Sequence, residues 1–432
     1  MIPTVSSVFE DGSILEMTCQ CREKRSSFAL WRNGQLEQKP TLDQGPQAKL
    51  VPYSPNNNLL KNEVVLFPER AEEYGSDAKL IAEIRDFIHR YVDVSPLFEE
   101  ISSYYVLLSW VYDRFDELPY LRLRGEPGCG KTRFLLTVGS LCYKPMFASG
   151  ASTVSPIFRI LDIFRGTLII DEGDFRQSDE MAEIVKILNN GNGKGFPVLR
   201  SEAKGTKEYN PKAYTVFGPK IIATRGFFED SALESRCITE EMGQLRMRAD
   251  IPINLPPFVK DEALQIRNKL LMFRFRNLHM NLPGEDLADR SIEPRLNQIF
   301  IPLLSIIEEP RAREDLRELA RKYNREMIAE RGTETEAQVL EIIYDMVNAP
   351  FSTPLSIKDI TSWFIDRHAM DYERKVTGKW IGTIVRKRLS LKTERRGGQY
   401  IISESQKPKI ERLFERYGIG ETEDAESDPK EA

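Results

Sequence analysis

The chain has 432 residues, with 61 Lys and Arg against 66 Asp and Glu and a formal net charge of −5. That length exceeds one ordinary domain and predicts two to four, and a hydrophobic content of 41% supplies a sizeable core. The mildly acidic balance excludes nucleic-acid binding by overall charge, so any basic patch must be local.

Residues 1–68 read as a small β-rich extension, punctuated by turn signals at Glu10-Asp11-Gly12 and Arg32-Asn33-Gly34. Cys19, Cys21, Cys129, Cys142 and Cys237 are odd in number and scattered, which argues against a disulfide framework. Cys19 and Cys21 have no second pair or nearby histidine to complete a metal site and read as reduced thiols. His89, His279 and His368 are isolated and suggest no chemistry. No apolar run near Met1 suits a signal peptide, and Tyr104–Tyr112 and Ile299–Ile307 are too short to span a bilayer. The expectation is a cytoplasmic protein with no membrane partner.

Residues 69–245 hold a helical lead-in and an alternating strand–helix core. Leu80, Ile81, Ile84, Phe87 and Ile88 recur at helical spacing, as do Val106, Leu107, Trp110 and Val111. The strand Leu121-Arg122-Leu123-Arg124 then runs into Gly125-Glu126-Pro127-Gly128-Cys129-Gly130-Lys131-Thr132, followed by a helix opening at Arg133. Strand, G-x-x-x-x-G-K-T loop and helix form the context of a phosphate-binding P-loop. Its glycines let backbone N–H groups close around phosphates at a helix N-terminus. Lys131 suits the β- and γ-phosphates of ATP, and the Thr132 hydroxyl suits Mg²⁺. Gly166–Glu172 is an apolar run ending in two acids, a buried parallel strand with charge at its ligand-facing end. Asp171 suits Mg²⁺, and Glu172 suits activation of water.

A loop rich in Asn and Gly (Asn189–Gly195) precedes a hairpin decorated by Arg200, Lys204, Lys207 and Lys212. Such a hairpin suits DNA contact and plain solvation equally. Lys220–Thr224 is another buried strand, whose terminal Thr224 suits the γ-phosphate or the attacking water. Arg236, at the edge of the strand Cys237-Ile238-Thr239, suits a neighbouring subunit's nucleotide, or else a surface ion pair.

Taken in order, the P-loop, Ile169-Ile170-Asp171-Glu172, the strand ending at Thr224 and Ser235-Arg236 resemble Walker A, Walker B, sensor 1 and arginine finger of the AAA+ ATPases. Phe217–Ala223 together with Ala232–Cys237 is similar to helicase-like ATPases of phage, plasmid and other mobile-element replication. The resemblance covers about residues 70–310. It implies ATP and Mg²⁺, a homo-oligomeric ring (a hexamer) with ATP between subunits, a helical lid and connector over 246–332, and a sensor 2 role for Arg295. One departure is the polar strand before the loop, where Arg122 and Arg124 need partners.

Residues 333–418 read as three helices, a strand–turn–strand and a trailing helix, which resembles a winged-helix domain. Lys379, Arg386, Lys387 and Arg388 on the third helix and Arg395 and Arg396 on the wing make this region locally basic, as DNA contact requires. An acidic tail over 419–432 reads as disordered. The expected fold class is thus α/β: an AAA+ P-loop parallel sheet with helical lid, β-rich N-terminal extension and C-terminal winged helix. The expected function is an ATP-hydrolysing motor acting on DNA. The alternatives are an ATP-gated DNA-binding regulator and a protein-remodelling ATPase.

Overall fold

The computed structural model describes all residues except 45–47, 173–178, 204–208, 229, 244–247, 281–283, 333–334, 351–353, 369–375 and 421–432. Two units emerge, Met1–Glu318 and Leu319–Ala432. Lys204, Lys207 and the acidic tail from 421 lie outside the described residues.

The first unit opens with β1 (Ile2–Thr4), β2 (Ser6–Val8), β3 (Ile14–Gln20), β4 (Arg25–Arg32), β5 (Gln35–Lys39), β6 (Leu42–Asp43) and β7 (Lys49–Pro52). They form a four-stranded antiparallel sheet, β2-β3-β4-β5, and a three-stranded sheet, β1-β7-β6. β3 is buried on both faces, and this includes a carboxylate, Glu16. Glu16 accepts from Tyr143 Oη at 2.7 Å and pairs with Arg274 at 2.7 Å and Lys144 at 3.2 Å. A charge removed from water persists only with such partners. Residues 1–68 are therefore welded to the parallel-sheet core, and the same apolar cluster runs from Leu15 and Phe28 to Leu168 and Ile222.

After a single turn, α1 (Asn58–Lys61), come α2 (Asp77–Tyr91) and α3 (Pro96–Trp110). Ser76 and Ser95 cap them, accepting from the N–H of Lys79 and Phe98. α2 buries Leu80, Ile84, Phe87 and Ile88 as helical spacing predicts, adds Tyr91 to that stripe, and leaves Ile81 only half-buried beside it. α3 is buried nearly all round.

The core alternates β8 (Tyr120–Arg124), α4 (Lys131–Leu141), β9 (Met146–Ser149), α5 (Val154–Phe164), β10 (Leu168–Asp171), α6 (Asp179–Asn190), the antiparallel hairpin β11 (Val198–Ala203) and β12 (Tyr209–Tyr214), β13 (Lys220–Thr224), α7 (Ser231–Glu234) and β14 (Cys237–Glu241). Five of these strands make one parallel sheet in the order β14-β8-β13-β10-β9. Their C-terminal ends share one edge, so Arg124, Thr224 and Asp171 come together there. Gly139 lets α4 lie close on the sheet, since a Cβ would fall 2.5 Å from Ile169 Cδ1.

The polar strand β8 finds its partners inside the fold. Arg122 is fully buried and makes two 2.5 Å bonds to the Glu234 carboxylate, with the Phe228 ring 4.7 Å from its guanidinium. Arg124 pairs with Glu241 and lies 3.4 Å from the centre of the Phe227 ring. The unit continues through α8 (Val259–Asn277) and α9 (Pro294–Ile306) into α10 (Pro310–Gly332), within which the unit boundary falls.

The second unit adds α11 (Thr335–Asn348), α12 (Ile357–His368), α13 (Gly378–Thr383), β15 (Thr393–Arg396), β16 (Gln399–Ile402) and α14 (Lys407–Tyr417). Leu340, Ile343, Ile360, Phe364, Ile381 and Val385 are among its core residues. The third helix is not regular to Leu389 as expected: Ile384–Arg388 winds as a π turn. Gly382 makes room there, because a Cβ would meet the folded-back Arg386 guanidinium at 2.8 Å. β15 and β16 pair antiparallel about Gly397 and Gly398, which take φ of 57° and 83°.

Candidate functional site

The loop between β8 and α4 owes its path to its glycines. Gly128 and Gly130 adopt φ of 86° and 96°, and Gly125 passes so near Met242 O that a Cβ would lie 2.6 Å away. α4 starts at Lys131, directly after this loop, so the unpaired N–H groups of its first turn face the loop's concavity. Lys131 Nζ donates to Gly125 O at 2.5 Å and Glu126 O at 2.8 Å. One residue on, Thr132 Oγ1 donates to Asp171 Oδ2 at 2.7 Å.

Asp171 also accepts from Glu172 N at 3.0 Å. Glu172 turns out of β10 with φ 55°, is 69% exposed along its side chain, and pairs with Arg225 at 3.4 Å. Gly150 permits that turn, since a Cβ there would sit 2.3 Å from Glu172 O. Between the loop and Asp171 stands Thr224, whose carbonyl accepts from Gly125 N at 3.2 Å. Its side chain is 1% exposed, and its hydroxyl has no hydrogen-bond partner among the described residues. A buried hydroxyl without a partner is costly, and one at this edge is poised for a polar ligand. Lys131, Thr132, Asp171, Glu172 and Thr224 are thus brought to one edge of the sheet. The donors, the acids and the helix terminus fit a nucleoside triphosphate with a divalent cation.

Other site residues fall elsewhere. The guanidinium of Arg133 is taken up by Pro252 O and Ile253 O rather than facing the loop's concavity. Arg295 does not reach the loop of its own chain. It lies with Arg236 at the opposite end of the sheet, where Arg236 O accepts from Tyr120 N at the start of β8. There the two arginines line a cavity of about 590 Å³ together with Glu117, Asn189, Asn192 and Gln298. Arg236 Nε donates to Asn192 Oδ1 at 2.8 Å. Burial, and then the charge of Arg295, push its guanidinium below the usual arginine range. Arg295 Nε and Nη2 are enclosed without a hydrogen-bond partner among the described residues. Burial also raises the Glu117 carboxyl, against the pull of both arginines.

On the hairpin, Arg200 is not available as a free cation. It pairs with Glu183 at 2.6 Å and packs over the Phe158 ring. Lys212 lies over the Tyr214 ring. In the second unit Lys379, Lys387 and Arg395 are exposed, whereas Arg388 pairs with Glu336 at 2.9 Å, Arg396 with Glu404 at 3.6 Å, and Arg386 stacks on Tyr400. Sequence reasoning missed Arg225. The available signal was its place directly after Thr224, at the ligand-facing end of a buried strand.

Among the described residues, no helix is long and apolar enough to cross a membrane. No family model matches the chain, and no curated protein does. Among solved structures, the chain is similar to the apo C-terminal region of NrS-1, with 11% identity, a TM-score of 0.36, and 90% of this chain and 95% of that one covered. It is similar to the JCV helicase at 10% identity and a TM-score of 0.24, covering 62% and 65%. It is also similar to a RuvB mutant of Thermotoga maritima at 13% identity and a TM-score of 0.25, covering 74% and 96%.

Proposed function

We propose that the chain is an ATP-hydrolysing AAA+ motor acting on DNA, a helicase-like protein of mobile-element or phage replication. The observation that carries the ATPase reading is the 2.7 Å bond from the P-loop hydroxyl of Thr132 to Asp171, with Glu172 next in sequence. Lys131 exchanges its two loop carbonyls for phosphate oxygens. The first turn of α4 adds backbone donors. Thr132 and Asp171 are the residues that hold Mg²⁺, which supplies neutralisation of phosphate charge when bound. Glu172 orients water and takes its proton, and the Thr224 hydroxyl positions that water or the terminal phosphoryl group.

Arg236 and Arg295 lie too far along the sheet to serve this site, so they serve the nucleotide of a neighbouring copy in a ring. The enclosed, unpartnered Nε and Nη2 of Arg295 and the repulsion between the two guanidinium groups favour an anion between them. In the second unit, α11, α12 and the α13 segment with the β15–β16 hairpin support a winged-helix reading. The exposed Lys379, Lys387 and Arg395, with Arg386, Arg388 and Arg396, support DNA as its partner.

Glu172→Gln tests the reading: it is expected to bind ATP and lose turnover by about 10²-fold or more. Undiminished turnover would remove Glu172 from the chemistry. Wild-type ATPase rates with single- and double-stranded DNA, alongside strand displacement, test the motor. Site-specific binding without unwinding would make the chain a regulator, and indifference to DNA a protein remodeller.

A further inference from the structure

Cys19 is the last residue but one of strand β3, and Cys21 opens the short turn Cys21–Glu23 that comes after it. Their sulfurs lie 2.8 Å apart. Cys19 is buried and held in register opposite Ser26, while Cys21 is exposed. A reagent therefore reaches one thiol of the pair and not the other. We propose that Cys19 and Cys21 form a reversible oxidation site, which a hydroperoxide converts to an intrachain disulfide.

The surroundings favour a thiolate at Cys21. The hydrogen bond from Cys19 holds the Cys21 thiol down at about 7, against burial and the charges of Glu69 and Glu63. The same bond, with burial, drives the Cys19 thiol up. Arg267 adds a positive charge: it is 6% exposed, its Nε has no hydrogen-bond partner among the described residues, and Cys21 is foremost among the charges that favour its protonated form. Thiolates beside guanidinium groups are the reactive ones.

The Cys21 thiolate attacks the terminal oxygen of the hydroperoxide; an S–O bond forms as the O–O bond breaks. The departing alkoxide or hydroxide takes a proton from water, leaving Cys21 as a sulfenic acid. Cys19 then attacks that sulfur; the S–S bond forms, the S–O bond breaks, and the Cys19 proton leaves with hydroxide as water. Two thiols are oxidised and the peroxide is reduced to an alcohol, or to water, plus one further water. The closed loop spans so few residues that it removes little chain entropy, so the bond is a readily reversed mark rather than a stabilising staple.

The test uses the full reduced chain exposed to hydrogen peroxide, alkylated with iodoacetamide and digested with trypsin. The peptide Met1–Arg22 is expected to lose two hydrogens and escape alkylation, and to recover both labels after dithiothreitol. Cys129, Cys142 and Cys237 serve as internal references. Cys19→Ser is expected to stop at the sulfenic acid, trapped by dimedone. In the wild type Cys21 should alkylate at neutral pH roughly ten-fold faster than an ordinary exposed cysteine. Two labels on Met1–Arg22 after peroxide, or oxidation of Cys129 ahead of it, would overturn the proposal. Because the readout is on the unmodified chain, it does not depend on a variant folding or on the ATPase reading.

Discussion

The Thr132 hydroxyl donates to Asp171 Oδ2 at 2.7 Å, across 39 residues of sequence. The bond exists because β13 stands between β8 and β10 in a parallel sheet, so the loop after one strand overhangs the end of the other. A hydroxyl and a carboxylate held together at a helix N-terminus make a compact oxygen ligand set for a small, hard cation.

Thr132→Ala should therefore lower kcat/KM for ATP by about 10²-fold and move the Mg²⁺ requirement to higher concentration, while Thr132→Ser stays near wild type. The bond lies in an exposed setting, so the alanine variant should lose less than about 1 kcal/mol of stability. Steady-state rates over a Mg²⁺ series, with urea unfolding alongside, check both. An alanine variant with an unchanged Mg²⁺ profile would take Thr132 out of the metal site.

Arg122 and Glu234 make a second long-range pair, this one decisive for folding. Arg122 has no exposure, and Glu234 meets it with both oxygens. Glu234→Ala leaves a buried guanidinium uncompensated and should cost about 3–5 kcal/mol. The double variant Arg122→Met with Glu234→Ala removes both charges and should recover most of that loss. Chemical denaturation of the two variants separates the outcomes. Equal destabilisation by both would mean that Glu234 acts through packing and not through charge.

The loop, the Asp171–Glu172 pair and the strand ending at Thr224 were legible because each is a local pattern: glycines at fixed spacing, or an apolar run broken by acids. Their meeting at one edge followed from the alternation of strands and helices. What was not legible depends on pairs far apart in sequence. Nothing in Leu-Arg-Leu-Arg names Glu234 as the partner that lets Arg122 sit in a buried strand. Arg295 likewise opens a helix of ordinary pattern, and only the packing of α9 shows that it accompanies Arg236 and not Lys131. Arg200 looked like a free cation in a basic hairpin because Glu183 and Phe158 belong to other elements. The π turn at Ile384–Arg388 is equally invisible, because in sequence the segment reads as the continuation of a regular helix.

Lys220 gives a pH dependence. It is fully buried at the start of β13, donates to Gly191 O, Val216 O and Gly218 O at 2.9–3.1 Å, and lies 4.8 Å from the centre of the Tyr120 ring. Burial pushes its ammonium group down to about 7, from an ordinary 10.5. Between those values the unfolded chain binds more protons than the folded one, so stability contributed by this group rises with pH. The difference in unfolding free energy between wild type and Lys220→Met should shift towards wild type by up to about 1.4 kcal/mol per pH unit above neutrality. Urea unfolding at several pH values from neutral to mildly alkaline measures it. A difference that does not change with pH would mean that the three carbonyls keep the ammonium charged throughout.

The placement of Arg236 and Arg295 makes the sharpest demand on assembly. Both line the cavity at the end of the sheet remote from Lys131, and Arg295 has nitrogens there with no partner among the described residues. If they complete a neighbour's site, Arg295→Ala alone should lose ATPase activity by about 10²-fold or more, as loss of transition-state charge neutralisation does. Lys131→Ala subunits, inactive themselves, still offer intact arginines. Mixing the two variants should then restore part of the activity, because some interfaces join a working loop to working arginines. The same mixture with Arg236→Ala in place of Arg295→Ala should behave alike. If Arg236→Ala is rescued and Arg295→Ala is not, then Arg295 acts only within its own chain, and its place beside Arg236 is a matter of packing.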